Sequence, residues 1–490
     1  MIDDPKPYAA MTDSGVECLG KVPSHWEVHR LGRLGTLSKG NGGSKDDEVE
    51  HGIPCIRYGD LYTTHQYFIK GSRSFISEES AYRYTSIHFG DVLFAASGET
   101  IPEIGKSAVN LISSKARCGG DIILFRAVRE FDARFLGYLL DSRPIADQKA
   151  VMGRGITVMH IYGSQLKYLC LPLPPRSEQT AIARFLDHIN SRIDRYIRAK
   201  EKLIALLEEQ KQAIIHQGVT GRIDVRTGRP YPTYKPSGVE WLGDVPEHWE
   251  IKRLGQCGKL LKGNGGNKED EVPSGVPCIR YGDLYTTHTY FISESRSFVS
   301  AEKNDEYTAL QFGDVLFAAS GETIAEIGKS AVNLMSSEAC CGGDIILFRP
   351  KQKFDARYLG YMTDCCAAAN QKAVMGRGIT VMHIYGTQIK NLIIFIPPAS
   401  EQSAIAQFLD VSVANIGDAI TAARREIELL REFRTRLIAD VVTGKLDVRS
   451  AATELPESMP DIDEDRVDAV QADASLRMTE ERIAQEEESR

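Results

Sequence analysis

The chain has 490 residues, enough for two to four domains, and its 42% hydrophobic and 26% charged residues are ordinary for a globular protein. No run approaches the roughly 18 apolar residues of a membrane-spanning helix, and the acidic start MIDDPKPYAAMTDSG is no signal peptide. The formal net charge of −8 sits at one end: residues 451–490 carry 13 Asp and Glu against 4 Arg, a net of −9, so the other 450 residues are nearly neutral at about +1. A neutral body leaves room for a basic face toward nucleic acid. The ten cysteines show no CxxC spacing, which argues against zinc and a disulfide framework and predicts buried thiols in a reducing cytoplasm.

In chain order, a Gly- and Pro-punctuated segment ends in Trp26, which is predicted to anchor a core. GNGGSKDD (40–47) reads as a flexible polar loop. Short β-like runs between turn signals follow at Ile53–Tyr58, Tyr67–Ile69, Val92–Ala96, Ile122–Arg126 and Tyr168–Leu173. A helix pair is predicted over Phe131–Lys149, with Phe135, Leu136, Leu139 and Leu140 on its apolar side. After the Pro172-Leu173-Pro174-Pro175 stop, Ser177 to about Gly218 contains no Gly or Pro until its end. Its apolar residues Ile182, Leu186, Ile189, Ile193, Tyr196, Leu203, Leu207 and Ile214 form a seam at three- and four-residue steps, broken by Lys200 and Gln210. Such a helix is about 60 Å long and its seam requires a partner helix.

That partner lies 223 residues further on. The chain repeats itself without insertion from Tyr8/Tyr231 to Arg226/Arg449: PCIRYGDLYTTH (54–65) returns at 277–288, FGDVLFAASGETI (89–101) at 312–324, and QKAVMGRGITVMHIYG (148–163) at 371–386. The second helix starts at Ser400 and carries Ile405, Leu409, Ile416, Leu430, Phe433 and Leu437, with Ser412, Ala419, Ala423 and Glu426 at weaker seam positions. The predicted fold is α+β, with two similar mixed α/β domains and two long antiparallel coiled-coil helices in a pseudo-two-fold arrangement. The predicted segments are a first domain (1–175), a first helix (176–220), a second domain (221–398), a second helix (399–446) and an acidic tail (447–490) expected to be disordered or loosely helical.

SGETIPEIGKS (97–107) fails as a phosphate-binding P-loop, because Thr100 stands where a glycine is needed, and Thr323 repeats the failure. No methyltransferase tetrapeptide, HExxH, GxSxG, EF-hand or nuclease carboxylate order appears. The chain is therefore predicted to be non-catalytic and without a cofactor or metal. What remains is polar loops with DNA-contact chemistry: Lys39, Asn41, Ser44 and Lys45; Arg57, Tyr58, Asp60, Tyr62, Thr63, Thr64 and His65; Lys106; Arg154 and Thr157. Their equivalents are Lys262, Asn264, Asn267 and Lys268; Arg280, Tyr281, Asp283, Tyr285, Thr286, Thr287 and His288; Lys329; Arg377 and Thr380. Arg reads guanine bidentately, Asn reads adenine, and Thr meets thymine methyls, while Lys39, Lys149 and Arg154 are candidates for neutralising phosphates.

Two motifs carry a family resemblance. One is Tyr-Lys-Pro-Ser-Gly-Val-Glu-Trp-Leu-Gly-x-x-Pro-x-His-Trp (234–249), with a near-copy at the N-terminus. The other runs from Gly155 to Asp187 and includes Leu-Pro-Leu-Pro-Pro-x-x-Glu-Gln-x-x-Ile-Ala-x-Phe-Leu-Asp, repeated at 378–410. Both resemble the DNA-specificity subunit of type I restriction–modification systems, over nearly all of Tyr8–Arg449. The resemblance implies that each domain reads one half of a bipartite double-stranded DNA site. It also implies that two modification subunits, bringing S-adenosylmethionine and adenine-N6 methylation, dock on the subunit, and that restriction subunits add ATP-driven translocation and cleavage. The near-identity of the two domains here predicts a symmetric, inverted-repeat site around a fixed gap set by the helices. The competing readings are a specificity subunit for a fused restriction–modification enzyme, a chain that itself cleaves or methylates DNA, and a protein-binding scaffold.

Overall fold

The computed structural model describes residues 5–42, 44–155, 158–239, 243–265, 268–324, 326–378 and 381–455. Two compact units divide it: residues 1–198 with 427–490, and residues 199–426. In the first unit, one five-stranded sheet has the order Gly35–Lys39, Ile122–Ala127, Val92–Ala95, Ser107–Asn110, Tyr67–Ile69, antiparallel except for its last pair. A second five-stranded sheet has the order Glu48–Val49, Ser74–Ile76, Ile53–Ile56, Ala116–Cys118, Thr85–Ile87. The strand Val92–Ala95 is buried on both faces, which is why it reads VLFA without polar alternation. Leu93 and Ala95 face a core shared with Ile56, Leu61 and Cys118, and Val92 and Phe94 face one shared with the helices. The second unit repeats both sheets strand for strand, from Gly258–Lys262 to Thr308–Ala309.

Asp132 and Asp355 each cap a short helix, Ala133–Leu140 and Ala356–Asp364, by accepting two backbone N–H groups. The predicted strand over 53–58 ends at Ile56, because Tyr58–Thr63 winds into a short helix rather than a glycine turn. The Asp60 carboxylate makes that helix possible by accepting from Arg57 N at 2.8 Å.

The long helices are Arg176–Val219 and Ala399–Val442. In the first unit Ile182, Ala183 and Leu186 share a core with Ile438, Val441 and Val442, and Asp194 pairs with Arg434 at 2.7 Å. In the second unit Ile215 and Val219 share a core with Ile405 and Leu409, and Lys200 pairs with Glu426 at 2.7 Å. Within each unit the two helices therefore run antiparallel, and the charged break in one seam meets the charged break in the other. The predicted seam is corrected in the helix middles: Tyr196 is 56% and Phe433 53% exposed, and Leu203 is exposed too, whereas Ile197 and Ile427 are buried. A 3.6-residue turn drifts against a 3.5-residue seam, and a lone helix pair covers only a narrow stripe. Each helix ends at a left-handed glycine, Gly221 (φ 70°) or Gly444 (φ 73°), where a side chain would strike Pro246 or Pro23.

After Gly444 the chain returns to the first unit: Asp447 N bonds to Lys6 O, Arg449 lies 5.2 Å over the Tyr8 ring, and Val448, Ala451, Ala452 and Leu455 are buried. The segment expected to begin an acidic tail at 447 thus starts as packed structure with a helix at Arg449–Thr453. Residues 456–490 lie outside the described residues.

The motifs that carry the resemblance hold this architecture together. Glu178, in the first turn of the long helix, is buried and accepts from the Tyr8 hydroxyl, from His25 Nε2 at 2.9 Å and from Trp26 Nε1 at 3.1 Å. Gln179 Oε1 accepts from Asp132 N at 3.0 Å, and its Nε2 donates to Pro174 O at 3.0 Å. Glu401 repeats the clasp with Tyr231 and with His248 at 2.9 Å, and Gln402 with Asp355 N at 3.0 Å.

All ten cysteines are free thiols, seven of them buried. Burial pushes Cys55 up to about 11, and Cys118, Cys341 and Cys365 up to about 12. A raised folded pKa contributes stability that is complete below the ordinary thiol value near ~8.5 and is lost as pH rises toward the folded value. Lys149, which burial holds down at about 8, and Lys372, lowered by burial too, act in the opposite sense below the ordinary lysine value of about 10.4, but the four thiols outnumber them. The melting temperature is therefore expected to be flat near neutrality and to fall above pH ~9, at about 1.4 kcal/mol per mismatched group per pH unit. Melts between pH 7 and 10.5 check this, and an unchanged midpoint at pH 10 would contradict it.

Candidate nucleic-acid interface

Three segments that are distant in sequence meet on one face of each domain. The short helix Tyr58–Thr63 places Tyr62 so that its hydroxyl donates to Ser97 O at 2.9 Å and Glu103 O at 3.3 Å. Gly98 must be glycine here, since a Cβ would stand 2.8 Å from that hydroxyl. Ser97–Gly98 pairs with Met159–His160, Ser97 Oγ lies 3.0 Å from His160 Nδ1, and His160 exchanges backbone hydrogen bonds with Arg154 at 2.9 and 2.8 Å. The candidate residues Tyr58, Thr63, Thr64 and Arg154 are exposed on these segments. Tyr285, Ser320, His383 and Arg377 repeat the arrangement, with Tyr285 donating to Ser320 O at 2.9 Å and Ser320 Oγ 3.0 Å from His383 Nδ1. Burial raises both Tyr62 and Tyr285 to about 12, so they stay protonated donors.

Lys39 ends an exposed strand and, with Ser97, His160, Tyr162 and Lys167, lines one open cleft. Asn41 is exposed and its backbone N–H donates to Thr85 Oγ1 at 2.9 Å; Asn264 does the same to Thr308 at 3.0 Å, and Lys262 is exposed like Lys39. Ser44 Oγ donates to Asp46 at 3.2 Å. Lys45 and Lys268 open short 3-10 turns, and their side chains lie outside the described residues, as do Thr157, Asn267 and Thr380 altogether.

Other candidates are placed differently from the expectation. Lys149 is corrected outright: it is 1% exposed, and its ammonium donates to Gly105 O at 2.7 Å and Leu140 O at 3.0 Å, so it ties the domain together and reaches no phosphate. Lys106 turns toward Asp141, with Nζ 3.5 Å from its carboxylate, and Lys329 is half-buried. Asp60 and Asp283 cap the short helices through Arg57 N and Arg280 N, both at 2.8 Å. His65 is 8% exposed and His288 is buried alike, and burial keeps both imidazoles below their ordinary pKa. Arg57 and Arg280 keep their place at the start of the Tyr58–Thr63 and Tyr281–Thr286 helices; the Arg57 guanidinium is 22% exposed and sits 3.2 Å from Glu48, and Arg280 faces Glu271 at 3.5 Å. By contrast, Tyr281 and Thr286 are exposed like Tyr58 and Thr63, with Thr286 Oγ1 donating to Gly282 O at 3.0 Å, and Thr287 is half-buried beside them.

Sequence reasoning missed Ser97, His160 and the exposed Tyr162, with their equivalents Ser320, His383 and Tyr385. Their identity across both repeats was the available signal. Among the described residues no cluster suits a metal ion and no helix is long and apolar enough to cross a membrane.

The sequence model of the type I restriction modification DNA specificity domain matches residues 23–208 and 246–429. The chain is similar to the specificity subunit of the type I restriction enzyme MjaVIII of Methanocaldococcus jannaschii, 25% identical over 88% of this chain and 95% of that one. It is also similar to the EcoKI specificity subunit of Escherichia coli, 21% identical over 87% and 90%. A chain solved in a study of the assembly and conformational transition of a type I restriction–modification system shares the fold, with a TM-score of 0.66 and 19% identity over 86% of this chain and 98% of that chain. With both repeats matched, and with such similarity along nearly the whole length, the chain belongs to the type I restriction–modification DNA specificity family.

Proposed function

We propose that each unit reads one half of a bipartite DNA site through the face built from the Tyr58–Thr63 helix, the Ser97–Glu103 segment and the Gly153–Gly155 and Val158–His160 segments. One observation carries this reading. Between the repeats, substitution has touched other exposed surfaces and, apart from Pro102, which becomes Ala325, spared this one. Ser80–Arg83 becomes Lys303–Glu306, Val128–Glu130 becomes Lys351–Lys353 and Arg143 becomes Cys366, while Tyr58–His65, Ser97–Ile101 and Gly153–Gly163 return unchanged. That is the pattern expected of a surface under functional constraint. Tyr, Thr, Ser and Arg side chains on short, well-tied segments suit hydrogen bonding to base edges and phosphates.

The chain itself is a non-catalytic cytoplasmic subunit in this reading. Its long helices receive two modification subunits that methylate adenine, and restriction subunits join the full complex. Exposed Tyr196, Leu429 and Phe433 offer apolar anchors for such docking. Two nearly identical readers on antiparallel helices favour an inverted repeat of one half-site about a fixed gap, as protein symmetry is mirrored in operators. Gln66/Thr289, Ser44/Asn267 and Pro102/Ala325 are among the differences able to shift one base preference. Long-read methylation mapping of cells expressing this chain with its modification subunit tests the reading. The expected result is one half-site and its inverted copy; two unrelated half-sites would refute the symmetry, and a site without two halves would refute the bipartite reading.

A further inference from the structure

Among the described residues, only two non-glycine residues have a positive φ: Tyr67 at 63° and Tyr290 at 64°. Each is the centre of a three-residue turn, with Phe68 N donating to Gln66 O at 2.7 Å and Phe291 N to Thr289 O at 2.8 Å. This is the strained γ-turn, and an aromatic residue is poorly suited to it. The preceding residue differs between the repeats, Gln66 against Thr289, yet the turn is kept.

The surroundings enforce it. Tyr67 pairs with Ala108 and Tyr290 with Ala331 in parallel ladders. Gly137 and Gly360 sit inside helices, where glycine is unfavourable, but a Cβ on either would stand 2.7 Å from the Tyr67 or Tyr290 carbonyl oxygen. The rings lie 5.1 and 5.0 Å from Tyr138 and Tyr361, whose hydroxyls donate to Asp187 at 2.6 Å and Asp410 at 2.9 Å on the long helices. On the other side of the turn, His65 N and His288 N close back on Asp60 O and Asp283 O, both at 2.9 Å. The turn thus stands between the segment Arg57–His65 and the long helix. Strain persists where neighbours over-determine it, and it gathers at functional positions.

We infer that Tyr67 and Tyr290 are positioning residues for DNA reading: their turns fix the direction in which Arg57–His65 and Arg280–His288 leave the sheet. The inference rests on the reading face proposed above. A fixed direction governs discrimination between sequences and leaves the general attraction to phosphates alone.

Two matched double variants of the full chain, assembled with its modification subunit, test this. Y67N/Y290N and Y67V/Y290V both remove the rings, but Asn tolerates positive φ and Val does not. The readout is the ratio of binding to a duplex carrying the mapped site and to a scrambled duplex, with the salt slope on the scrambled duplex in parallel. The Val pair is expected to lower the ratio about tenfold below the Asn pair, a factor within the strain of such a turn, with the salt slope unchanged. Equal ratios would mean that the rings matter and the turn does not, and would overturn the inference. Should the Val pair not fold, G137A/G360A crowds the turn while favouring the helix; a lowered ratio supports the inference and an unchanged one overturns it. R57A/R280A, run alongside, separates the two levels: if it leaves the ratio intact, the reading face itself is misassigned, and if it lowers the ratio while Asn and Val behave alike, only the turn is.

Discussion

Replacing Arg57 and Arg280 together with alanine is expected to abolish sequence-selective protection of DNA while leaving the chain folded and assembled with its partners. Each arginine opens a short helix on the candidate reading face, and each guanidinium is held near a partly exposed glutamate, Glu48 or Glu271. Ion pairs of that exposure contribute about 0–1 kcal/mol to folding, so the melting temperature should move little. A bidentate arginine–guanine contact is worth about 1–3 kcal/mol of discrimination, so losing one per half-site removes roughly 2–6 kcal/mol. That corresponds to about 30-fold or more in the ratio of cognate to scrambled binding. Competition binding on the assembled complex measures the ratio, and co-purification with the modification subunit measures assembly. If assembly is lost while the ratio in the residual complex stands, the arginines are structural.

Glu178→Ala is expected to be the most destabilising single change in the first unit, and Glu401→Ala in the second. Glu178 is 4% exposed and accepts from Tyr8, His25 and Trp26, which join the N-terminal segment to the start of the long helix. Alanine leaves buried hydroxyl and indole donors without an acceptor, at about 1–3 kcal/mol each, so a total near 3–5 kcal/mol is expected. For units of this size about 2–4 °C accompanies each kcal/mol, which predicts a midpoint lower by roughly 10 °C for the affected unit. Glu178→Gln keeps an acceptor and should recover part of the loss. Differential scanning calorimetry resolves the two units, and a shift below about 2 °C in the alanine variant would mean that the clasp contributes little.

The clasp also shows why the most recognisable motifs are the least informative about DNA. His25, Trp26, Glu178 and Gln179 carry the family resemblance, and all four are occupied in joining a domain to its helix. The repeat, the two long helices, the strand Tyr67–Ile69 and the buried core strand at Val92 were legible because periodicity, punctuation and a 223-residue offset are properties of the linear chain. The proposed reading face was legible only in part. Lys149 looks like a phosphate ligand beside GRGIT, but it is buried under the carbonyls of Gly105 and Leu140. Ser97 and His160 carry no motif, and only the fold sets them 3.0 Å apart.

The sequence by itself determined that this chain is a duplicated α/β domain with two long helices, because burying apolar surface at helical or strand spacing leaves few alternatives. The tertiary structure alone decided which polar residues remain exposed and unburdened by a buried partner. A lysine, histidine or arginine reads the same in sequence whether its charge meets solvent, a carbonyl or a carboxylate. The difference lies in desolvation and in partners supplied from 44 to 63 residues away, and these exist only once the sheets have closed.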